Sequence, residues 1–293
     1  MAEPTLGNAK NTSEILKKYD FVFQKRFGQN FLIDTHVLEK IVRTAAVEKE
    51  DLVIEIGPGI GTLTQYLACE AGHVLAVEID KKLIPVLSDT LSGWDNVTVI
   101  NQDIMKMDIA SAIETYGNGR PVKIVANLPY YITTPIIMKL LEDNIPMESM
   151  TVMIQKEVAD RMMALPGTSD YGALSLSVRY YAEPEITANV PQNCFMPRPN
   201  VDSAVVKLTR HKNPPVQVRD EKEMFRIIKA SFMQRRKTLV NGIKNAAFLP
   251  YGREETEKAL KECGLPLTIR GEALSLEQFA ALSDALKKVS DET

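Results

Sequence analysis

The stretch that most constrains the fold is Leu52-Val53-Ile54-Glu55-Ile56, which runs directly into Gly57-Pro58-Gly59-Ile60-Gly61 and then into a helical pattern from Thr62 to Cys69. A short apolar run suits a buried strand. Strand, glycine turn and helix in that order open a doubly wound α/β sheet, in which glycines let a ligand approach the backbone at the strand's carboxyl end. The spacing here is G-x-G-x-G, which departs at the third glycine from the G-x-G-x-x-G of dinucleotide-binding folds. A dehydrogenase is disfavoured on that ground.

Three further strands are predicted over His73 to Asp80, Val97 to Ile100 and Val122 to Ala126. Each ends in a polar group: Glu78 near the end of the first, Asn101-Gln102-Asp103 after the second, Asn127-Leu128-Pro129-Tyr130 after the third. Ligands bind at the carboxyl edge of an open parallel sheet, so Gly57, Glu78, Asp103 and Asn127 are expected to converge there. Glu78 stands 21 positions after Gly57, where a carboxylate accepts hydrogen bonds from ribose hydroxyls. The alternative is that it caps the helix beginning near Lys81. An amide, a proline-fixed turn and an aromatic face can grip a flat polar ring, so Asn127 to Tyr130 reads as an adenine pocket; an ordinary strand-to-helix turn uses the same residue types.

The flanks add to this frame. Residues 1 to 20 read as an arm or short helix, followed by Gln24-Lys25-Arg26-Phe27-Gly28-Gln29-Asn30-Phe31-Leu32, a loop able to meet phosphate and a stacked ring, or simply to anchor a tail. Asp34 is placed to cap a helix carrying Val37, Leu38, Ile41, Val42 and Ala45 on one face. A helix is expected over Thr134 to Glu142, and strands over Met150 to Gln155, Ala173 to Tyr181 and Ala204 to Leu208. Between the last two lies a proline-stiffened loop, Asn193 to Ser203, whose Phe195 either forms a second aromatic wall of the base pocket or plugs the loop onto the core. His211-Lys212-Asn213-Pro214-Pro215 reads as a linker. Beyond it the pattern is helical, which divides the chain into an α/β domain over 1–210 and a small helical domain over 219–293.

Composition narrows the function. The net charge of −3 conceals a basic block, since residues 207 to 244 hold eleven Lys or Arg against three Asp or Glu. Such a block suggests a local polyanion surface, although charges also keep helices solvated. Cys69, Cys194 and Cys263 have no metal-ligand spacing, and neither a membrane span nor a signal-peptide core is visible. A reducing cytoplasm is the expected location, with no metal.

Taken in order, these motifs closely resemble the small-subunit ribosomal RNA adenine dimethyltransferases. The resemblance is carried by Gly28 to Leu32, Glu55 to Gly61, Glu78-Ile79-Asp80, Asp103, Asn127 to Tyr130, Phe195 to Ser203 and Arg235-Arg236-Lys237-Thr238-Leu239. It implies a Rossmann-like methyltransferase sheet with a C-terminal helical domain that binds RNA. The implied cofactor is S-adenosyl-L-methionine, contacted by Asn30, Leu32, Gly57, Gly59, Glu78, Asp103 and Asn127, with Asp103 on its adenine amine and Glu78 on its ribose. The implied reaction is dimethylation of N6 on two adjacent adenines near the 3′ end of the small-subunit RNA. Asn127 and Leu128 would bind the amine, Tyr130 would stack on the base and Phe195 would oppose it. Lys25, Arg26, Arg226, Lys229, Arg235, Arg236 and Lys237 are the expected phosphate contacts. The expected partner is the RNA within immature 30S particles, met by a monomer.

The nearest rival is the large-subunit adenine methyltransferase of the macrolide-resistance type, which typically carries Asn-Ile-Pro-Tyr and a different C-terminal domain. Leu128 and the tail with Arg270-Gly271-Glu272-Ala273-Leu274-Ser275 favour the small-subunit enzyme. A DNA adenine methyltransferase would be expected to carry a separate sequence-reading domain. An assembly factor without catalysis is the rival from another class, and the intact Glu78, Asp103, Asn127 and Tyr130 speak against it.

Overall fold

The computed structural model describes residues 3–24, 28–143 and 145–291. Lys25 and Arg26 lie outside them. The elements in chain order are α1 (Ala9–Lys18), β1 (Phe31–Leu32), α2 (Thr35–Ala45), β2 (Leu52–Ile56), α3 (Thr62–Glu70), β3 (His73–Glu78), α4 (Ile84–Thr90), β4 (Val97–Asn101), α5 (Ile109–Gly117), β5 (Val122–Asn127) and α6 (Thr133–Glu142). There follow β6 (Ser149–Gln155), α7 (Lys156–Met163), α8 (Ala173–Tyr181), β7 (Ala182–Val190), β8 (Phe195–Met196), β9 (Ser203–Arg210), α9 (Glu221–Met233), α10 (Leu239–Lys244), α11 (Arg253–Glu262) and α12 (Leu276–Asp291).

Two compact units result: Met1–Ala159 with Glu183–Arg210, and Asp160–Ala182 with His211–Thr293. Residues 160–182 thus group with the C-terminal helices, a division that a boundary at 210 does not anticipate. The first unit is built on a seven-stranded sheet in the order β4-β3-β2-β5-β6-β9-β7. The five strands β4, β3, β2, β5 and β6 are parallel, and β9 joins β6 antiparallel. All five residues of β2 are buried, as a central strand covered on both faces requires. The chain winds from β2 through β3 to β4, then returns to β5 on the other side of β2. That reversal of direction opens a crevice at the carboxyl ends of β2 and β5.

Local sequence explains the neighbouring elements. Asp34 caps α2 by accepting from the Val37 N–H at 3.1 Å, an interaction typically worth about 1 kcal/mol. Leu38, Ile41, Val42 and Ala45 of α2 are buried with Val53, Leu67, Val125, Met153 and Val205. In the second unit Ile227, Leu239, Leu260, Phe279 and Leu286 form a separate core, and the Tyr171 hydroxyl donates to the Leu274 carbonyl at 2.8 Å.

Two segments differ from expectation. Ala173 to Tyr181 is helix α8, not a strand. Its Leu-Ser-Leu-Ser-Val alternation mimics a period of two, but Leu174, Ser175, Leu176, Ser177 and Val178 are all buried, so the serines do not mark an exposed face. Ser175 is satisfied locally, accepting from the Gly172 N–H at 3.1 Å and donating to the Arg161 carbonyl at 2.6 Å. The strand falls one segment later, at β7, which contains Pro184 and sits at the end of the strand order. Proline is tolerated on an edge strand because the missing N–H need not enter a ladder.

Candidate active site

Register brings the strand ends together. Ile56 pairs with Val77 on β3 and with Ala126 on β5, so the next residues along, Gly57, Glu78 and Asn127, emerge side by side. Gly57 and Gly59 adopt φ of +69° and +62°, a region that glycine enters without steric cost. A Cβ on Gly59 would stand 2.8 Å from the Phe31 ring, so the turn lies directly against the loop that enters β1. The crevice is lined by Asn30, Leu32, Glu55, Gly57, Gly59, Glu78, Asn127, Leu128, Tyr130 and their neighbours.

Glu78 is only 4% exposed. Its Oε2 accepts from the Gly59 N–H at 3.1 Å and its Oε1 from the Asp80 N–H at 2.7 Å. Burial pushes its pKa up to about 7, and those backbone bonds resist the rise. Its recorded bonds go to Gly59 and Asp80, and it is Asp80 Oδ1 that accepts from the Lys82 N–H at 3.1 Å ahead of α4.

Asp80 ties the N-terminal loop to this corner. Its Oδ2 accepts from Gln29 Nε2 at 2.9 Å and from Gln24 Nε2 at 3.2 Å, while Gln29 Oε1 accepts from the Gln24 N–H at 3.0 Å. Across the crevice, Asn127 Nδ2 donates to the Asn30 carbonyl at 3.0 Å. That bond commits the donor end of the amide and leaves Oδ1 as the atom available to an incoming N–H. The Leu128 N–H donates to the Met153 carbonyl at 3.1 Å, and the side chain is buried. Tyr130 follows on the same wall, its hydroxyl 2.7 Å from Ser203 Oγ.

Two predicted site residues are not brought to the crevice. Asp103 is half-buried beyond β4, where its Oδ1 accepts from the Met105 N–H at 2.9 Å; it is not among the lining residues. Phe195 is 3% exposed and packs in the core with Leu38, Val125 and Met153. It sits opposite Leu32 in the two-stranded ladder of β1 and β8. Burial and the pairing with Leu32 suit the plug among its two anticipated roles, and Phe195 is not among the residues that line the crevice.

Glu55 is a site residue that sequence reasoning left inside its motif. It lines the crevice yet is fully buried, and its Oε2 has no hydrogen-bond partner among the described residues. Burial pushes its pKa up to about 8, the neighbouring Thr64 hydroxyl resists the rise, and Glu78 adds to it. A lone acid in an apolar strand, two residues before the first glycine, was the available signal. An orphaned carboxyl oxygen, a buried carboxylate and a side-chain-free turn suit a ligand with hydroxyls and a positive charge. S-adenosylmethionine has both.

The anticipated phosphate contacts of the second unit differ in their surroundings. Arg226 pairs with Glu223 at 2.6 Å, and Lys229 Nζ lies 5.6 Å from the centre of the Phe248 ring. Arg235 bonds Glu272 Oε2 at 3.1 Å and also donates to the Thr168 and Ser169 carbonyls. Arg236 and Lys237 are exposed and form no ion pair among the described residues.

Solved structures share this architecture. A dimethyladenosine transferase from Plasmodium falciparum aligns with a TM-score of 0.76 at 26% identity, covering 89% of this chain and 98% of that one. The 23S rRNA methyltransferase ErmE aligns at 0.65 and 28%, covering 88% and 99%. Fold and crevice therefore define a Rossmann-like, S-adenosylmethionine-dependent methyltransferase. The sequence profile described as ribosomal RNA adenine dimethylase matches residues 20–288, and the chain belongs to that family. Its relatives include proteins named ribosomal RNA small subunit methyltransferase A from Lachnoclostridium phytofermentans, 61% identical over 96% of this chain and 97% of the relative, and from Bacillus licheniformis, 53% identical over 95% and 96%.

Proposed function

We propose that this enzyme dimethylates N6 of two adjacent adenines near the 3′ end of 16S ribosomal RNA, within immature 30S particles late in subunit assembly. The observation that carries the chemistry is the Asn127 amide, whose Nδ2 donates to the Asn30 carbonyl, which leaves Oδ1 as its acceptor. The choice of the small-subunit RNA is supported by the names of relatives at 61% and 53% identity, against 28% for the 23S enzyme.

Glu78 would hold the ribose hydroxyls of the cofactor, the Gly57–Gly59 turn would admit it against the backbone, and Asn30 and Leu32 would close its other side. Asp103 would meet its adenine amine from beyond β4. When bound, S-adenosylmethionine supplies a methyl group on a positively charged sulfur. The amine of adenine is a weak nucleophile because its lone pair is delocalised into the ring. Asn127 Oδ1 and the Leu128 carbonyl would each accept one of its hydrogens and favour a pyramidal nitrogen. Tyr130 would stack on the base, which must leave its own stack to enter. Positioning of this kind removes the need for a strong base, and no histidine lines the crevice.

Arg236 and Lys237, with Lys25, Arg26, Arg226 and Lys229, would contact RNA phosphates, and Arg235 would hold the turn that presents its two neighbours. We place the enzyme in the cytoplasm as a monomer; no helix among the described residues is long and apolar enough to cross a membrane. Labelled methyl transfer to unmethylated 30S particles, followed by mapping of the modified bases, tests the assignment. Two adjacent dimethylated adenines near the 3′ end of 16S RNA are expected; label confined to large-subunit RNA would overturn it.

A further inference from the structure

The motif from Phe195 to Ser203 is expected to reach the base pocket through its aromatic residue, yet Phe195 is committed to the core. The contact between that motif and Asn127–Tyr130 is made by its last residue instead. Ser203 is the first residue of β9, in register with Gln155 of β6, and is 0% exposed. Its backbone is thus held in the sheet, and its Oγ lies 2.7 Å from the Tyr130 hydroxyl.

The other end of the tyrosine is equally constrained. The Pro129 carbonyl accepts from the Ile132 N–H at 3.2 Å and from Thr133 Oγ1 at 2.9 Å, which fixes the turn carrying Tyr130. A phenylalanine at this position would offer the same stacking face, so the hydroxyl adds nothing to the contact area. What it adds is a tether at the para position, the point on the ring furthest from Cα, where a hydrogen bond best restrains swing and tilt.

We propose that Ser203 is a positioning residue for methyl transfer, acting through the Tyr130 hydroxyl to set the tilt of the ring on which the target adenine lies. The inference rests on the reading of Tyr130 as the base-stacking ring. It explains why the motif ends in a buried serine beside a tyrosine, and it links β9 to the reaction without any contact to the base.

A double-mutant cycle on the full-length enzyme with unmethylated 30S particles tests it, with kcat, the KM for particles, cofactor affinity and thermal stability measured on the same preparations. Ser203→Ala and Tyr130→Phe are each expected to lower kcat about three- to tenfold, the scale of one hydrogen bond, with cofactor affinity unchanged. The double variant should be no slower than either single one. Wild-type kcat in Ser203→Ala, losses that multiply in the double variant, or a parallel loss of cofactor affinity would each overturn the proposal. Tyr130→Ala separates the two ideas. If it is impaired while Ser203→Ala is not, the tether falls and the stacking ring stands; if Tyr130→Ala is itself fully active, both fall.

Discussion

In the crevice of the first unit, Glu78 and Asn127 are held by named backbone groups at 2.7 to 3.1 Å, whereas in the turn after α9 of the second unit Arg236 and Lys237 stand exposed with no ion pair among the described residues. Buried polar groups are costly unless satisfied, and the backbone bonds of Glu78 and Asn127 fix the geometry of each. Exposed cations are cheap to place, and their sequence pattern does not distinguish the ones that face a partner from those spent internally. Arg235 is exposed like its neighbours, yet its guanidinium also bonds Glu272 and two carbonyls.

The contrast can be broken by mutation. Replacing an acceptor that works in the transition state should cost most: Asn127→Ala is expected to lower kcat by about 10²- to 10³-fold in steady-state methyl transfer. Removing Arg236 and Lys237 together should leave kcat on saturating particles intact and reduce the slope of log affinity against log salt by about 2. Salt titration of binding to immature 30S particles reads this directly, and an unchanged slope would remove the pair from the RNA face.

Protonation separates the regions next. Glu78 is raised to about 7, and a carboxylate that accepts from ribose hydroxyls binds in its ionised form. Cofactor affinity should therefore rise as pH increases through 7, by up to about tenfold per unit below it, and Glu78→Gln should flatten the calorimetric profile. Glu55 behaves as a stability group: its carboxyl rises from 4.5 to about 8 on folding, so folding favours the protonated form. Its contribution is fully present below pH 4.5 and is lost as pH rises towards 8. The melting temperature of ligand-free Glu55→Gln should gain on the wild type between pH 6 and 8.5; parallel curves would contradict the assignment. Arg235→Ala, which removes a half-exposed pair, should cost less than about 1 kcal/mol in chemical denaturation.

Much of the first unit was legible because burial imposes a pattern. Leu52–Ile56 and Val122–Asn127 are apolar runs ended by Gly57 and by Leu128-Pro129, and their register follows from a parallel sheet. Asp34 announced α2 through capping chemistry that acts within three residues. Legibility failed where distant segments decide. Ala173–Tyr181 alternates like a strand but is buried on both apparent faces. Phe195 has two uses in a sequence, and only its pairing with Leu32 selects one. Asp103 sits at a strand end as expected, yet its side chain bonds its own turn. The Tyr130–Ser203 contact spans 73 positions and has no local signature.

Asn127 is proposed to act on the amine of the target base, beyond any part it has in binding the cofactor. Cofactor affinity and single-turnover methyl transfer, measured side by side for wild type and Asn127→Ala on unmethylated 30S particles, test it most directly. A rate loss of about 10²-fold or more is expected, with cofactor affinity changed far less. An equal loss in both would make Asn127 a cofactor ligand only, and full methyl incorporation at the wild-type rate would contradict the account outright.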